Sequence, residues 1–284
     1  MTSQAPTPRA LSIAGSDSGG GAGIQADLKA FARCGVHGLT AVTAITVQST
    51  TGVTAVHVVP TEIVIAQVRA VAADIGVDAV KVGMLGTAEV VRAVAQALDE
   101  LPAGTPVVVD PVMVAESGAR LLEEDAQRAL IEEILPRATV LTPNLPEARV
   151  LAGVGEAADG GAEDAEAEEL ARAVLAKGPR VVVLTGGHRR HAVDVYVDSE
   201  KEGEAVEISG ERHEDGAAHG SGCTHSSVLA AQLAIGKTPL EAARTARRLA
   251  GEAVAKGLRG VGAGAGPVDV IGLEGMRSGI IGGR

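Results

Sequence analysis

The sequence predicts an α/β fold: a mostly parallel central sheet with helices packed on both faces. Short valine-rich apolar runs recur along the chain, and longer segments with helical periodicity separate them. Residues capable of chemistry also gather just after those runs, at the strand ends where open α/β sheets bind ligands.

Strands are expected at residues 10–14, 40–47, 79–82, 107–110, 139–141 and 180–184, with a hairpin over 193–208. Thr61 is placed to cap a helix whose buried face carries Val64, Val68, Val71 and Ile75, and Thr87 to cap one carrying Val91, Val94, Ala95 and Leu98. Val228 to Leu233 reads as a buried helix. The acidic stretch 155–170 reads as a solvated loop followed by an exposed helical turn, a solvent-facing insertion. Neither a repeat nor a linker divides the chain, so residues 9–284 are expected to form one domain behind a frayed segment, 1–8.

The chain has 284 residues, 46% of them hydrophobic, and a formal charge of −11. That charge, with one Tyr, one Phe and no Trp, opposes a nucleic-acid partner, which demands clustered cations and stacking rings. Cys34 and Cys223 have neither disulfide-framework nor metal-ligand spacing and are expected as reduced thiols. No apolar stretch approaches the roughly 18 to 20 residues of a membrane span, and the first residues lack a signal-peptide core. The expectation is a cytoplasmic enzyme without a membrane partner.

Gly220-Ser221-Gly222-Cys223-Thr224 stands immediately before the buried helix at 228–233. The free amides of a helix's first turn, the helix dipole and the close approach that glycine permits make this an anion site. The same field is expected to lower the Cys223 pKa, a setting open to acyl or phosphoryl transfer. Asp110 ends one strand, and Asn144 and Glu147 follow the next. Each is also a common loop or helix-capping residue. Together, carboxylates and an amide oxygen without clustered Cys or His suit a hard cation such as Mg²⁺, and with the anion site they point to phosphoryl transfer. Gln48, polar at the end of an apolar strand, fits either a heterocycle's edge or a turn. The glycines at 15–23 lack phosphate-loop spacing, and Gly236-Lys237-Thr238 reads as a helix end. Gly260, Gly262 and Ala265 follow a helix rather than a first strand, so the nucleotide motifs they imitate fail on context. His188, His219 and His225 each fit a capping or core role as well as a catalytic one.

In this order the motifs Ile13-Ala14-Gly15-Ser16-Asp17, Gly20-Gly21-Ala22-Gly23-Ile24-Gln25-Ala26-Asp27, Lys81-Val82-Gly83-Met84-Leu85, Asp110-Pro111-Val112-Met113, Thr142-Pro143-Asn144-Leu145-Pro146-Glu147-Ala148, Gly186-Gly187-His188 and His219-Gly220-Ser221-Gly222-Cys223-Thr224 carry a resemblance over residues 10–267. The chain resembles the hydroxymethylpyrimidine/phosphomethylpyrimidine kinases of thiamine biosynthesis, in the ribokinase superfamily. The resemblance implies a ribokinase-like three-layer sandwich and ATP- and Mg²⁺-dependent phosphorylation of 4-amino-5-hydroxymethyl-2-methylpyrimidine, then of its monophosphate. It implies that Gln48, Gly15, Asp27 and Met84 line the pyrimidine pocket, and that Asp110 and Glu147 hold Mg²⁺ through water. The amides of Gly220, Ser221, Gly222 and Cys223 would stabilise the moving phosphoryl group, with Cys223 orienting or deprotonating the acceptor hydroxyl. ATP would lie near Asn144, Thr185, Gly187 and residues 262–267, and the enzyme would be a homodimer. Thr185 and Ala218 depart from the lysine and threonine of the family pattern. The rival readings are a pyridoxal or pyridoxine kinase of the same superfamily and a non-catalytic pyrimidine-binding sensor.

Overall fold

The computed structural model describes residues 6–114, 118, 121–154, 163–186, 192–201, 204–213, 217–273 and 275–276. The strands are β1 (Arg9–Ala14), β2 (His37–Val42), β3 (Ala44–Ser49), β4 (Gly52–Val58), β5 (Ala79–Val82), β6 (Val107–Val109), β7 (Val140–Leu141), β8 (Val181–Leu184), β9 (Val193–Asp198) and β10 (Ala205–Ser209). Eight form one sheet in the order β10-β9-β8-β7-β6-β5-β1-β2, parallel from β8 to β2 and antiparallel where β9 and β10 extend it. The helices are α1 (Gly23–Arg33), α2 (Thr61–Asp74), α3 (Ala88–Asp99), α4 (Glu124–Ala129), α5 (Leu145–Ala152), α6 (Glu163–Leu175), α7 (Ser221–Ala234) and α8 (Pro239–Ala255).

Strand alternation sorts these into three layers, because successive side chains point to opposite faces. Leu11, Ile13, Val80, Val82, Val107 and Val109 pack with residues of α2 to α6. Ala10, Ala79, Val108, Val140 and Val183 pack with α1, α7 and α8. This is the predicted α/β architecture. Among the described residues no helix is long and apolar enough to cross a membrane.

Four expectations need correction. The strand expected over 40–47 breaks at Thr43, whose amide and hydroxyl bind Ala14 O and Met84 O; β3 leaves the main sheet to pair with β4, a strand without a clear signal in the sequence. Thr61 does not cap α2: Pro60 holds that position, and Ile75 on the expected buried face is 37% exposed beyond the last turn. Thr87 does cap α3, accepting the Val90 amide. In the acidic stretch, 155–162 lie outside the described residues, but the rest belongs to a 13-residue helix that buries Ala167 and Leu170, not to an exposed turn. Of the segment 1–8, residues 1–5 lie outside the described residues, whereas Pro8 O accepts the His37 amide at 2.8 Å.

Candidate active site

Five parallel strands end on one side of the sheet, and the segments after them border a cavity of about 450 Å³. Residues after β1, β5, β6, β7 and β8 all reach it, together with Gln48 of β3 and the first turn of α7.

The glycine segment after β1 wraps around Asp17. This buried carboxylate accepts the amides of Gly19, Gly21 and Ala22 at 2.8 to 3.0 Å and meets His219 Nε2 at 3.0 Å. Burial alone pushes the Asp17 pKa up, but His219 and the amides reverse that and hold it below the usual carboxylate range. Lys29, too far along α1 to act as a phosphate-loop lysine, instead donates to Gly20 O at 2.6 Å. His219 is thus a tether from this segment to the residue that precedes the anion site.

Gly220 has φ +82°, and a Cβ there would lie 1.8 Å from Gly21 O, so only glycine lets the backbone turn into α7 against the first loop. The Ser221 amide is taken by Ala218 O, and Thr224 makes the first helical bond, to Gly220 O. The amides of Gly222 and Cys223 lie between them on the open end of the helix. The Gly23 amide, at the start of α1, donates toward Cys223, so two helix N-termini converge on this thiol.

That convergence does not lower its pKa, contrary to the expectation from sequence. Cys223 is half-buried and borders the cavity. Burial pushes the thiol up to about 12, with Asp110 and Asp27 adding to the rise and Lys81 opposing it. The reason is desolvation, which disfavours the thiolate more than the helix ends and Lys81 favour it.

Below the thiol, Lys81 is withdrawn from solvent and contacts Asp27 at 3.0 and 3.1 Å and Asp110 at 4.0 Å. Burial by itself lowers its pKa; the neighbouring negative groups more than reverse this, so the ammonium stays charged. Asp27 also accepts Ser12 Oγ and Ser227 Oγ, both at 2.6 Å. With both oxygens engaged and no surface exposed, Asp27 does not line the cavity as expected; it is the counter-ion beneath its floor.

Asp110, held by Ser226 Oγ at 3.1 Å, and Glu147 both face the cavity. Burial raises the pKa of each, and Asp110's charge helps push Glu147 up to about 8. Asn144 and Glu147 form a capping box at the start of α5, each accepting the other's amide at 2.9 Å. Among the described residues no group of three or more His, Cys, Asp or Glu could encage a metal. Two desolvated carboxylates that repel one another nevertheless fit a divalent cation completed by water or phosphate oxygens.

Gln48, Gly15 and Met84 come together at one end of the cavity. A Cβ on Gly15 would lie 2.4 Å from Met84 Cε, so the glycine makes room for the methionine. Gln48 sits at a register shift in β3, its side-chain oxygen 3.2 Å from Thr46 Oγ1. Thr185 borders the opposite end, with Ala250, Gly251 and Val254 of α8. Gly187 and His188 lie outside the described residues. Residues 262–267 do not border the cavity; Gly262 and Gly264 pack instead on Thr50 of the β3–β4 turn.

Sequence reasoning assigned no role to Asp17, Lys81, Asp194 or Arg247. A lysine inside the apolar run Ala79-Val80-Lys81-Val82 was the available signal for one of them, since a buried charge requires a partner. Asp17, Asp194 and Arg247 also depend on partners far along the chain: His219 for Asp17, His225 for Asp194, and Ala192 O for Arg247.

Residues 17–269 match a family model described as phosphomethylpyrimidine kinase. The hydroxymethylpyrimidine/phosphomethylpyrimidine kinase of Rhizobium meliloti is 47% identical over 265 residues, covering 92% of this chain and 96% of that protein. Its counterpart in Streptomyces coelicolor is 44% identical, covering 95% and 97%. Among solved structures, an ADP complex of Bacillus subtilis pyridoxal kinase superposes with a TM-score of 0.83 at 36% identity, over 95% of this chain and 99% of that one. A Clostridium difficile phosphomethylpyrimidine kinase gives 0.72 at 36% identity, over 85% and 96%.

Proposed function

The chain belongs to the phosphomethylpyrimidine kinase family, and from that premise and the cavity's geometry we propose how its residues divide the work of a ribokinase-like phosphotransferase. The enzyme phosphorylates 4-amino-5-hydroxymethyl-2-methylpyrimidine and its monophosphate in thiamine biosynthesis. The observation that carries the division of labour is one cavity with three zones: Gln48, Gly15 and Met84 at one end, Asp110, Glu147 and the 220–223 turn in the middle, and Thr185 with α8 at the other.

Gln48 offers a donor and an acceptor to the aminopyrimidine, while Gly15 and Met84 shape the apolar wall. Asn144 and Thr185 face the nucleotide, ATP. Asp110 and Glu147 hold Mg²⁺, which when bound offsets phosphate charge. The Gly222 and Cys223 amides meet the transferring phosphoryl group, with Gly220 and Ser221 setting the turn that aims them. With its pKa near 12, Cys223 positions the acceptor hydroxyl as a neutral thiol rather than removing its proton. Incubating the protein with Mg-ATP and the pyrimidine alcohol tests the reading: the monophosphate and then the pyrophosphate should appear by mass, and absence of both would sink it.

The likeness to pyridoxal kinase structures favours pyridoxal as a second acceptor. A kcat/KM for pyridoxal at least tenfold above that for the pyrimidine alcohol would reverse the preference. The chain is further read as one domain over 9–284, because β2 and β10, from distant parts of the chain, share a sheet. It is read as a homodimer, supported by Ile45 and Val47, which share one face of β3 and stand exposed there. A cytoplasmic location is supported by the two free cysteines.

A further inference from the structure

The nucleotide end of the cavity holds a charged cluster with no part in the scheme above. Asp194 of β9 is fully buried; its Oδ1 accepts the Gly186 amide at 2.9 Å, and its Oδ2 lies 3.1 Å from His225 Nε2. Burial alone pushes the Asp194 pKa up, but His225, Arg247 and the Gly186 amide reverse this and hold it below the usual carboxylate range. Arg247 of α8 reaches the same wall. Its Nη2 donates to Ala192 O, while its Nη1 makes a long ion pair with Asp194 Oδ1 at 3.8 Å, without a hydrogen bond.

The carboxylate nearest Arg247 is thus engaged by other groups. Arg247 Nε and His225 Nδ1 are buried with no hydrogen-bond partner among the described residues. Unfilled polar capacity of this kind, on two side chains that border one cavity, is relieved by a ligand or water there. A guanidinium remains charged at any working pH, and its planar fork matches phosphate oxygens. His225 also lies close enough to Asp110 to lower that carboxyl's pKa. The cluster therefore stands between the metal-side carboxylate and the lobe bounded by Ala250, Gly251 and Val254, where a polyphosphate leading from the α7 amides would pass.

We propose that Arg247 binds the polyphosphate of a nucleoside di- or triphosphate, with His225 as a positioning residue that engages Asp194 and so keeps the carboxylate from closing on the guanidinium, whose Nε has no hydrogen-bond partner among the described residues. This rests on the kinase reading above. Calorimetric titration with ADP and with adenosine, without acceptor, tests it. Arg247→Gln should weaken ADP at least tenfold and leave adenosine within about twofold. His225→Leu, which removes the partner of Asp194 Oδ2 and lets the carboxylate close on Arg247, should weaken ADP about threefold or more with adenosine again unchanged; it decides the matter if Arg247→Gln does not fold. Parallel loss of both ligands, or no loss of ADP, would make Arg247 a structural residue and overturn the proposal. Wild-type protein that fails to bind ADP would overturn the kinase reading instead.

Discussion

Lys81 Nζ lies 3.0 Å from Asp27 Oδ1, with both side chains withdrawn from solvent. The pair joins β5 to α1 directly below Cys223, and Ser12 and Ser227 complete the hydrogen bonding of the carboxylate. Removing one partner leaves the other as an uncompensated buried charge. Lys81→Met should therefore cost about 3–5 kcal/mol in urea unfolding, and Lys81→Met combined with Asp27→Asn should recover much of that. A single variant within about 1 kcal/mol of wild type would show that the pair is not structural.

Gly220 and Gly222 separate backbone geometry from mere proximity to the site. A methyl at Gly220 meets Gly21 O at 1.8 Å in a left-handed conformation, whereas one at Gly222 meets nothing within 4 Å. Gly220→Ala should lower kcat about a hundredfold or more by displacing the amides of Gly222 and Cys223. Gly222→Ala keeps its amide and should stay within about threefold. Equal effects in steady-state assays would remove the turn from the mechanism.

The Cys223 pKa of about 12 is a raised value, so the folded protein prefers the protonated thiol and ionises only as pH approaches 12. Alkylation of Cys223, mapped by mass spectrometry in the nucleotide-free enzyme, should be slow and keep rising about tenfold per pH unit up to about pH 10, with no levelling near pH 9 where an ordinary thiol saturates. Cys223→Ala should lower kcat about a hundredfold, whereas Cys223→Ser, which retains a hydroxyl to orient the acceptor, should lose about tenfold or less. A serine variant as impaired as alanine, together with a thiol limb near neutral pH, would restore the general-base role.

Glu147 has its pKa raised to about 8 from an ordinary 4.5. Its contribution to stability is complete below about pH 4.5 and declines as pH rises toward 8, because the unfolded chain releases that proton first. A bound divalent cation displaces the proton. Added Mg²⁺ should consequently raise Tm more at pH 8 than at pH 5, and Glu147→Gln should flatten that difference. A Mg²⁺ effect independent of pH would detach the ion from this carboxylate.

Gln48 of β3 borders the cavity near Gly15 and Ser16, whereas Thr185 follows β8, several strands away in the sheet order. Gln48→Ala should raise KM for the pyrimidine alcohol several-fold and leave KM for ATP unchanged. Loss of ATP affinity instead would reverse the two ends.

Much of this enzyme is local in character. Valine runs of β-strand length, a glycine-rich turn before α7 and the Asn144–Glu147 capping box depend on backbone preference and short-range hydrogen bonding, and all were legible along the chain. The strand ends also carried Asp110, Asn144 and Thr185 to one cavity, because parallel strands deliver their succeeding loops to the same side of the sheet, whereas Gln48 reaches it from the separate strand β3.

The character of those groups was decided elsewhere. A helix N-terminus alone argues for an acidic Cys223, yet desolvation by the surrounding fold, with Asp110 and Asp27 nearby, raises its pKa. Asp27, placed in the substrate pocket from its motif, turned inward because Lys81, 54 residues away, needed its charge. Thr43 diverted an apparently continuous strand into a second sheet, and Asp194, His225 and Arg247 met across three elements. From sequence alone one reads periodicity, turns and residue types. Desolvation and long-range pairing depend on which surfaces exclude water together, and only the packed tertiary structure decides that.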